Sequence, residues 1–208
     1  MTTPPDLQDQ AQGIITRAKA IITDPGNTWP TIAAETDAPM QVFTKWVLPL
    51  AAIGPIASFI GGQVFGYVAF GFSYRPSLTM GITTLLVGYV GALISVWLIA
   101  FIANFLSPKF DGKDDFPAAF RLTAYSMSAA WIVGIVGLIP ALSILGLAGL
   151  YSLFLFYKGA TIMMAVPEDK AIVYTVLTVV VGIVANVVIG IVSASITAPV
   201  AFASLPGA

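Results

Sequence analysis

Hydrophobic residues run through this chain in long stretches, and the charged positions between them set the limits. No charged side chain occurs for 29 positions between Lys45 and Arg75, for 33 between Arg75 and Lys109, for 36 between Arg121 and Lys158, or anywhere after Lys170. A helix crosses a hydrocarbon core of about 30 Å with roughly 20 apolar residues. The first two intervals therefore predict one membrane-spanning helix each, at about 47–70 and 78–106. The third is too long for one crossing and carries Leu138-Ile139-Pro140 near its middle, which predicts a hairpin of helices at about 120–139 and 142–165 broken at Pro140. A fifth span at about 171–198 ends before Pro199.

A different pattern precedes the first span. Leu7, Ala11, Ile14, Ile15, Ala18, Ile21 and Ile22 recur at helical spacing, while Asp9, Gln12, Arg17 and Lys19 occupy much of the remaining surface. This predicts an amphipathic helix stopped by Asp24-Pro25-Gly26. A second short helix, capped by Asn27 or Thr28 and carrying Trp29 and Pro30 in its first turn, is expected through Ala34. Residues 1–10 hold Asp6 and Asp9 and no unbroken apolar run, so they do not read as a signal peptide. The division is thus an N-terminal segment at 1–44, a five-helix domain at 45–200 and a tail at 201–208.

Composition supports lipid as the solvent: of 208 residues, 58% are hydrophobic and 9% charged, with a mean hydropathy of +0.92. The fold class is an all-α membrane protein, five transmembrane helices preceded by one or two amphipathic helices. A net charge of −1 supplies no field for gripping nucleic acid. Cysteine and histidine are both absent, which removes disulfides, thiolate chemistry and imidazole metal ligation. No nucleophile with a neighbouring base, no glycine-rich phosphate loop and no metal quartet is visible, so neither catalysis nor a cofactor is expected. The three carboxylates of Lys109-Phe110-Asp111-Gly112-Lys113-Asp114-Asp115 lack the alternate spacing of a calcium loop and read as a solvated turn.

Basic residues collect on the cytoplasmic side of membrane proteins. With five crossings, Arg17, Lys19, Lys45, Lys109, Lys113, Arg121, Lys158 and Lys170 share the side of the N-terminus and Arg75 stands alone on the other. Four crossings would move Lys158 and Lys170 across and weaken that asymmetry. The expectation is therefore a cytoplasmic N-terminus and an external C-terminus.

Helices in lipid associate through close backbone approach and occasional polar contacts. Gly54, Ser58, Gly62 and Gly66 fall four apart in the first span; Gly182, Asn186, Gly190, Ala194 and Ala198 do so in the fifth. These ridges predict tight packing of the two spans, with each other in one chain or across a homodimer. Gln63 and Asn186 are the amides expected deep in the bilayer, as glue between helices or as part of a polar path. Pro49 and Pro55 permit a kink. Lys158 falls about seven residues from the end of the fourth span, within snorkelling reach of the interface.

Two groups of residues resemble the bacterial branch of the Yip (Ypt-interacting protein) domain family. The first runs Pro25-Gly26-Asn27-Thr28-Trp29-Pro30-Thr31-Ile32-Ala33-Ala34-Glu35, then Val47-Leu48-Pro49-Leu50-Ala51-Ala52-Ile53. The second is the ordered set Ala124-Tyr125-Ser126, Ala130-Trp131, Leu138-Ile139-Pro140, Gly149-Leu150-Tyr151-Ser152-Leu153, Tyr157-Lys158-Gly159 and Pro167-Glu168-Asp169-Lys170-Ala171. The resemblance covers about residues 13–195. It implies an integral membrane protein of about five helices with a cytoplasmic N-terminus. Eukaryotic members act in vesicle traffic and associate with Rab GTPases, but the short N-terminal segment here gives no ground for carrying Rab binding across. Tyr125, Trp131, Tyr151 and Tyr157 are amphipathic aromatics at matching positions and, with Gln63, Lys158 and Asn186, the candidate ligand or partner contacts.

The function expected from this reading is a non-enzymatic bacterial inner-membrane protein that organises membrane or recruits partners, in contact with lipid and self-associating through the glycine ridges. The competing reading is a transporter or channel for a small or lipidic solute, with Gln63, Asn186, Lys158 and tyrosines lining a path.

Overall fold

The computed structural model describes residues 7–69 and 72–203. Helix α1 (Leu7–Thr23) is amphipathic and buries Ala18 and Ile21, while Ile15 stays exposed on the far side. Helix α2 (Pro25–Ala33) follows without a loop. Its cap is Asp24, whose carboxylate accepts from the Asn27 backbone N–H at 3.3 Å and from the Asn27 side chain at 2.8 Å. The cap is therefore not Asn27 or Thr28. Asp is a good cap and Pro25 is preorganised for the first helical position, so the expected stop signal is also the start of the next helix.

Among the described residues five helices are long and apolar enough to cross a membrane: Pro39–Val64, Leu78–Phe110, Phe116–Leu138, Pro140–Met163 and Glu168–Ser195. We number them as the first to the fifth span. The first is not a regular helix. At Phe43–Val47 it widens into a π-turn in which the Leu48 N–H reaches back to the Phe43 carbonyl. Pro49 has no N–H, and its ring would press on the carbonyl of Lys45 four residues earlier; the wider turn relieves that clash. A second break falls at Ala52, three residues before Pro55.

The first span ends at Val64, not near residue 70. Gly66 adopts a left-handed φ of 69°, the common way to end a helix, and its N–H bonds the Gly62 carbonyl at 3.0 Å. Two short strands, β1 (Tyr67–Ala69) and β2 (Phe72–Tyr74), pair antiparallel with Tyr67 opposite Tyr74. Aromatic and β-branched residues suit such a hairpin, which replaces the helical ending that hydrophobicity alone suggested. Arg75 closes it by donating to the Val64 carbonyl at 2.9 Å.

The third span is central: every residue from Ala118 to Ser126 is buried. It tightens into a 3₁₀ segment at Gly134–Leu138, turns at Ile139 in extended backbone, and the fourth span opens with another 3₁₀ segment, Pro140–Leu150, that buries nothing. Below it the α-helical part, Tyr151–Met163, returns to the core. The fifth helix runs Glu168–Ala203 with Glu168 and Asp169 in its first turn, where negative charge suits the helix dipole. The expected tail at 201–208 thus begins as helix; residues 204–208 lie outside the described residues, as do 1–6 of the N-terminal segment.

Turns alternate between two faces. The β-hairpin and the Ile139-Pro140 turn share one, where Gly61 meets the carbonyls of Gly137 and Leu138. The turns at 107–115 and 164–167 share the other, joined by the Lys113 N–H bond to the Met164 carbonyl at 2.8 Å. α1 and α2 pack on this second face, so we call it the N-terminal face. The core is concentrated here, with Trp29, Phe120, Leu122, Leu155, Met163 and Tyr174 fully buried.

Candidate functional site

The N-terminal helices dock on the bundle. Trp29 is wholly buried in a seat that exists because residue 159 is glycine: a Cβ there would lie 2.7 Å from the indole. Tyr151 donates its hydroxyl to the Ile22 carbonyl at 2.9 Å, tying the end of α1 to the fourth span. Arg17 pairs with Glu35 at 2.5 Å and lies 5.6 Å from the centre of the Tyr125 ring. Burial works against the Arg17 charge, yet Glu35 and Tyr125 together hold its pKa above the ordinary guanidinium value. Tyr125 itself is buried against Trp46 at 4.9 Å, and Trp46 donates to the Ser128 hydroxyl at 3.1 Å.

The acidic turn is architectural. Asp115 caps the third span by accepting from the Ala118 N–H at 3.0 Å, Asp114 accepts from the Asn104 amide at 2.7 Å, and Asp111 pairs with Lys170. Burial pushes the Asp115 carboxyl up, but the Ala118 N–H and the Lys113 ammonium outweigh it and hold the pKa below the usual carboxylate range. Among the described residues no three acidic side chains gather as a metal site.

Within the one chain, the small-residue ridges do not pair the first span with the fifth. The 3₁₀ geometry of Gly134–Leu138 aligns residues three apart, so Gly134 and Gly137 face one way. Gly134 meets Gly54, and Gly137 meets Ser58. The first-span ridge at Gly54 and Ser58 thus packs against the third span, extended by Gly61 in place of Gly62. Gly62 lies against the Tyr67 ring, and Gly66 is a turn residue. The fifth-span ridge faces the second span over part of its length: Gly182 lies beside Ile99, and the Ser95 hydroxyl donates to Asn186 Oδ1 at 2.5 Å. Asn186 also donates to the Gly182 carbonyl at 2.9 Å. At Gly190 a Cβ would meet no atom of the described residues within 4 Å. Ala194 belongs to the same helix, and the Ala198 side chain lies outside the described residues.

The candidate polar contacts do not converge. Gln63 is not deep in the span but in its last turn, donating to the Pro76 carbonyl at 3.3 Å beside the hairpin. Lys158 is exposed, its ammonium 5.9 Å from the ring centres of Phe154 and Tyr157, five residues before the end of its helix at Met163. Trp131 is buried in the third span and Tyr157 half-buried in the fourth. Two clefts remain. An apolar one of about 540 Å³ lies among the last four spans, with Thr178, the Asn186 side chain and the Ser126 hydroxyl, unpartnered among the described residues, in its wall. A larger one of about 1050 Å³ lies on the N-terminal face between α1 and the first three spans. Tyr89 and the π-turn side chains in its wall were not singled out by sequence; Pro49, which forces that turn, was the available signal.

The sequence matches the Yip1 domain family over residues 19–189, most of the chain. No curated protein and no solved structure matches it significantly. The ordered motifs of the two halves meet in space, Trp29 of the first seated on Gly159 of the second, as expected of one domain spanning both. The chain is a multi-pass membrane protein that belongs to the Yip1 domain family.

Proposed function

We propose that this protein is a non-enzymatic organiser of a bacterial inner membrane that self-associates through the outer half of its fifth span. Its N-terminal face, with α1, α2 and eight of the nine basic residues, is cytoplasmic by the positive-inside rule, and its C-terminus is external. The observation that carries the reading is the open surface at Gly190. The 36-residue fifth helix is about 54 Å long at 1.5 Å per residue. Past Asn186 it exposes Val187, Val188, Ile191 and Val192 around a glycine that, among the described residues, no other element approaches within 4 Å of a Cβ position. Helices in lipid associate where small residues let backbones come close. Ser95 with Asn186 and Trp46 with Ser128 are polar side-chain pairs between spans, which suits a scaffold.

The apolar cleft beside Asn186 favours a second reading, passage of a lipidic solute, but Gln63 and Lys158 stand away from it at opposite ends of the bundle.

Gly190→Leu is expected to weaken self-association about tenfold, roughly 1.4 kcal/mol, in crosslinking of the protein in lipid. Gly146→Leu, also open but on the fourth span, should leave the oligomer distribution unchanged. An unaltered distribution in Gly190→Leu would refute the proposal.

A further inference from the structure

The larger cleft on the N-terminal face is amphipathic. Its outer wall carries Arg17, Gln41, Thr44 and Lys45, and its inner wall Leu48, Pro49 and Tyr89. Lys45 is exposed and makes no ion pair among the described residues. Gln41 uses its oxygen to accept from the Ala38 N–H at 2.9 Å, which leaves its amide N–H groups available. The π-turn of the first span is what brings Thr44, Lys45 and Trp46 into one wall; such turns often mark functional positions.

The charges around the cleft do not cancel. Asp37 is also in the wall, and Glu35 is occupied by Arg17. Arg121, one helical turn before Tyr125, is only 7% exposed. It donates to the Asp37 carbonyl at 3.0 Å, leaves its Nε without a partner and has no ion-pair carboxylate among the described residues. Among the described residues, three cations thus stand against two carboxylates. A site with surplus positive charge and amide donors outside, and an aliphatic and aromatic wall inside, fits a ligand built the same way. The cleft's volume of about 1050 Å³ is at the top of the usual range for ligand pockets, about 300–1,000 Å³.

We propose that this cleft binds one anionic phospholipid, its phosphate at Lys45 and Gln41 and an acyl chain along Leu48, Pro49 and Tyr89. Basic pockets between spans, at the level of the headgroups, select acidic lipids in this way. A soluble anion would leave the apolar wall unused, and a neutral lipid would leave the surplus charge unmatched.

The test uses the full-length protein in nanodiscs of phosphatidylcholine with and without phosphatidylglycerol, extracted gently for native mass spectrometry of retained lipid. Wild type should retain phosphatidylglycerol in preference to phosphatidylcholine. Lys45→Gln should lower that retention about fivefold, the effect of one basic residue near an anionic headgroup, and Lys19→Gln, outside the cleft, should not. Gly13→Leu is the second variant. Gly13 is in the cleft wall, and among the described residues a Cβ there meets nothing within 4 Å. Leucine is also a better helix former, so this variant should fold at least as well while filling the site and lowering retention of lipid. Equal retention of both lipids by wild type, equal losses in Lys45→Gln and Lys19→Gln, or unchanged retention in both cleft variants would overturn the proposal. So would displacement of the bound lipid by millimolar inorganic phosphate, which would make the site one for a free anion.

Discussion

Replacing Trp29 by alanine is expected to destabilise the protein by about 3–5 kcal/mol, the usual cost of deleting a large aromatic side chain from a packed site. For a chain of this size that corresponds to a melting temperature lower by on the order of 10 °C. The magnitude follows from the seat of the indole. Trp29 has no exposed surface, and its ring lies over Gly159 of the fourth span beside Leu122 of the third. Removing it empties the joint that fastens α2 to two spans at once. Gly159→Val approaches the joint from the other side, because its Cβ would overlap the indole and the Leu122 side chain. The two substitutions share one contact, so their effects should not add, and the double variant should be more stable than the sum of the singles implies. Thermal denaturation of the four proteins in detergent checks this. Additive losses would mean that the indole and Gly159 do not share a site.

Gly61→Leu is expected to abolish stable folding of the half opposite the N-terminal face. A Cβ at this position overlaps the carbonyl oxygen of Gly137 and comes within 2.7 Å of that of Leu138. Overpacking a core costs about 1–3 kcal/mol where side chains can shift, and more where they cannot. Here the obstruction is backbone, held by the 3₁₀ segment before Pro140, so the first and third spans must separate. Neighbouring Gly62 offers a contrast, since its nearest atoms belong to the Tyr67 side chain, which can rotate away. Gly61→Leu should therefore lose monodisperse protein on size-exclusion chromatography and become protease-sensitive, whereas Gly62→Leu should be milder. A Gly61→Leu protein with wild-type melting behaviour would show that these backbones do not touch.

The spans were legible in the sequence because burying charge in hydrocarbon is expensive, so intervals of 29 to 36 uncharged residues have few other uses. Their ends were less legible. An uncharged interval marks the limits of hydrocarbon, and a helix continues past those limits as long as its backbone is satisfied. Hence the first span begins at Pro39, ahead of Lys45, and the third at Phe116, ahead of Arg121. The β-hairpin was hidden because its residues are as apolar as a span, and only Gly66 with alternating aromatic residues hinted at it. Ridge partners were hidden for a different reason. Spacing four apart reveals a flat helix face but not what covers it, and the matching face on the third span repeats every three residues because it is 3₁₀. Asn186 was identifiable as costly to leave unbonded, but Ser95 as its partner required the structure. The N-terminal cleft depends on a π-turn and on residues from three spans, which no local pattern encodes.

The proposed odd number of crossings, which would put α1 and the carboxyl end on opposite sides of the membrane, underlies both the placement of the cytoplasmic face and the role assigned to the fifth span. The absence of native cysteine makes the test direct. Single cysteines at Lys19, Asp114, Arg75 and Ser204 are labelled with a membrane-impermeant maleimide in sealed vesicles of known orientation, with and without permeabilisation. Lys19→Cys and Asp114→Cys should react from one side only, and Arg75→Cys and Ser204→Cys from the other only. Labelling of Ser204→Cys from the same side as Lys19→Cys would contradict the five-span architecture.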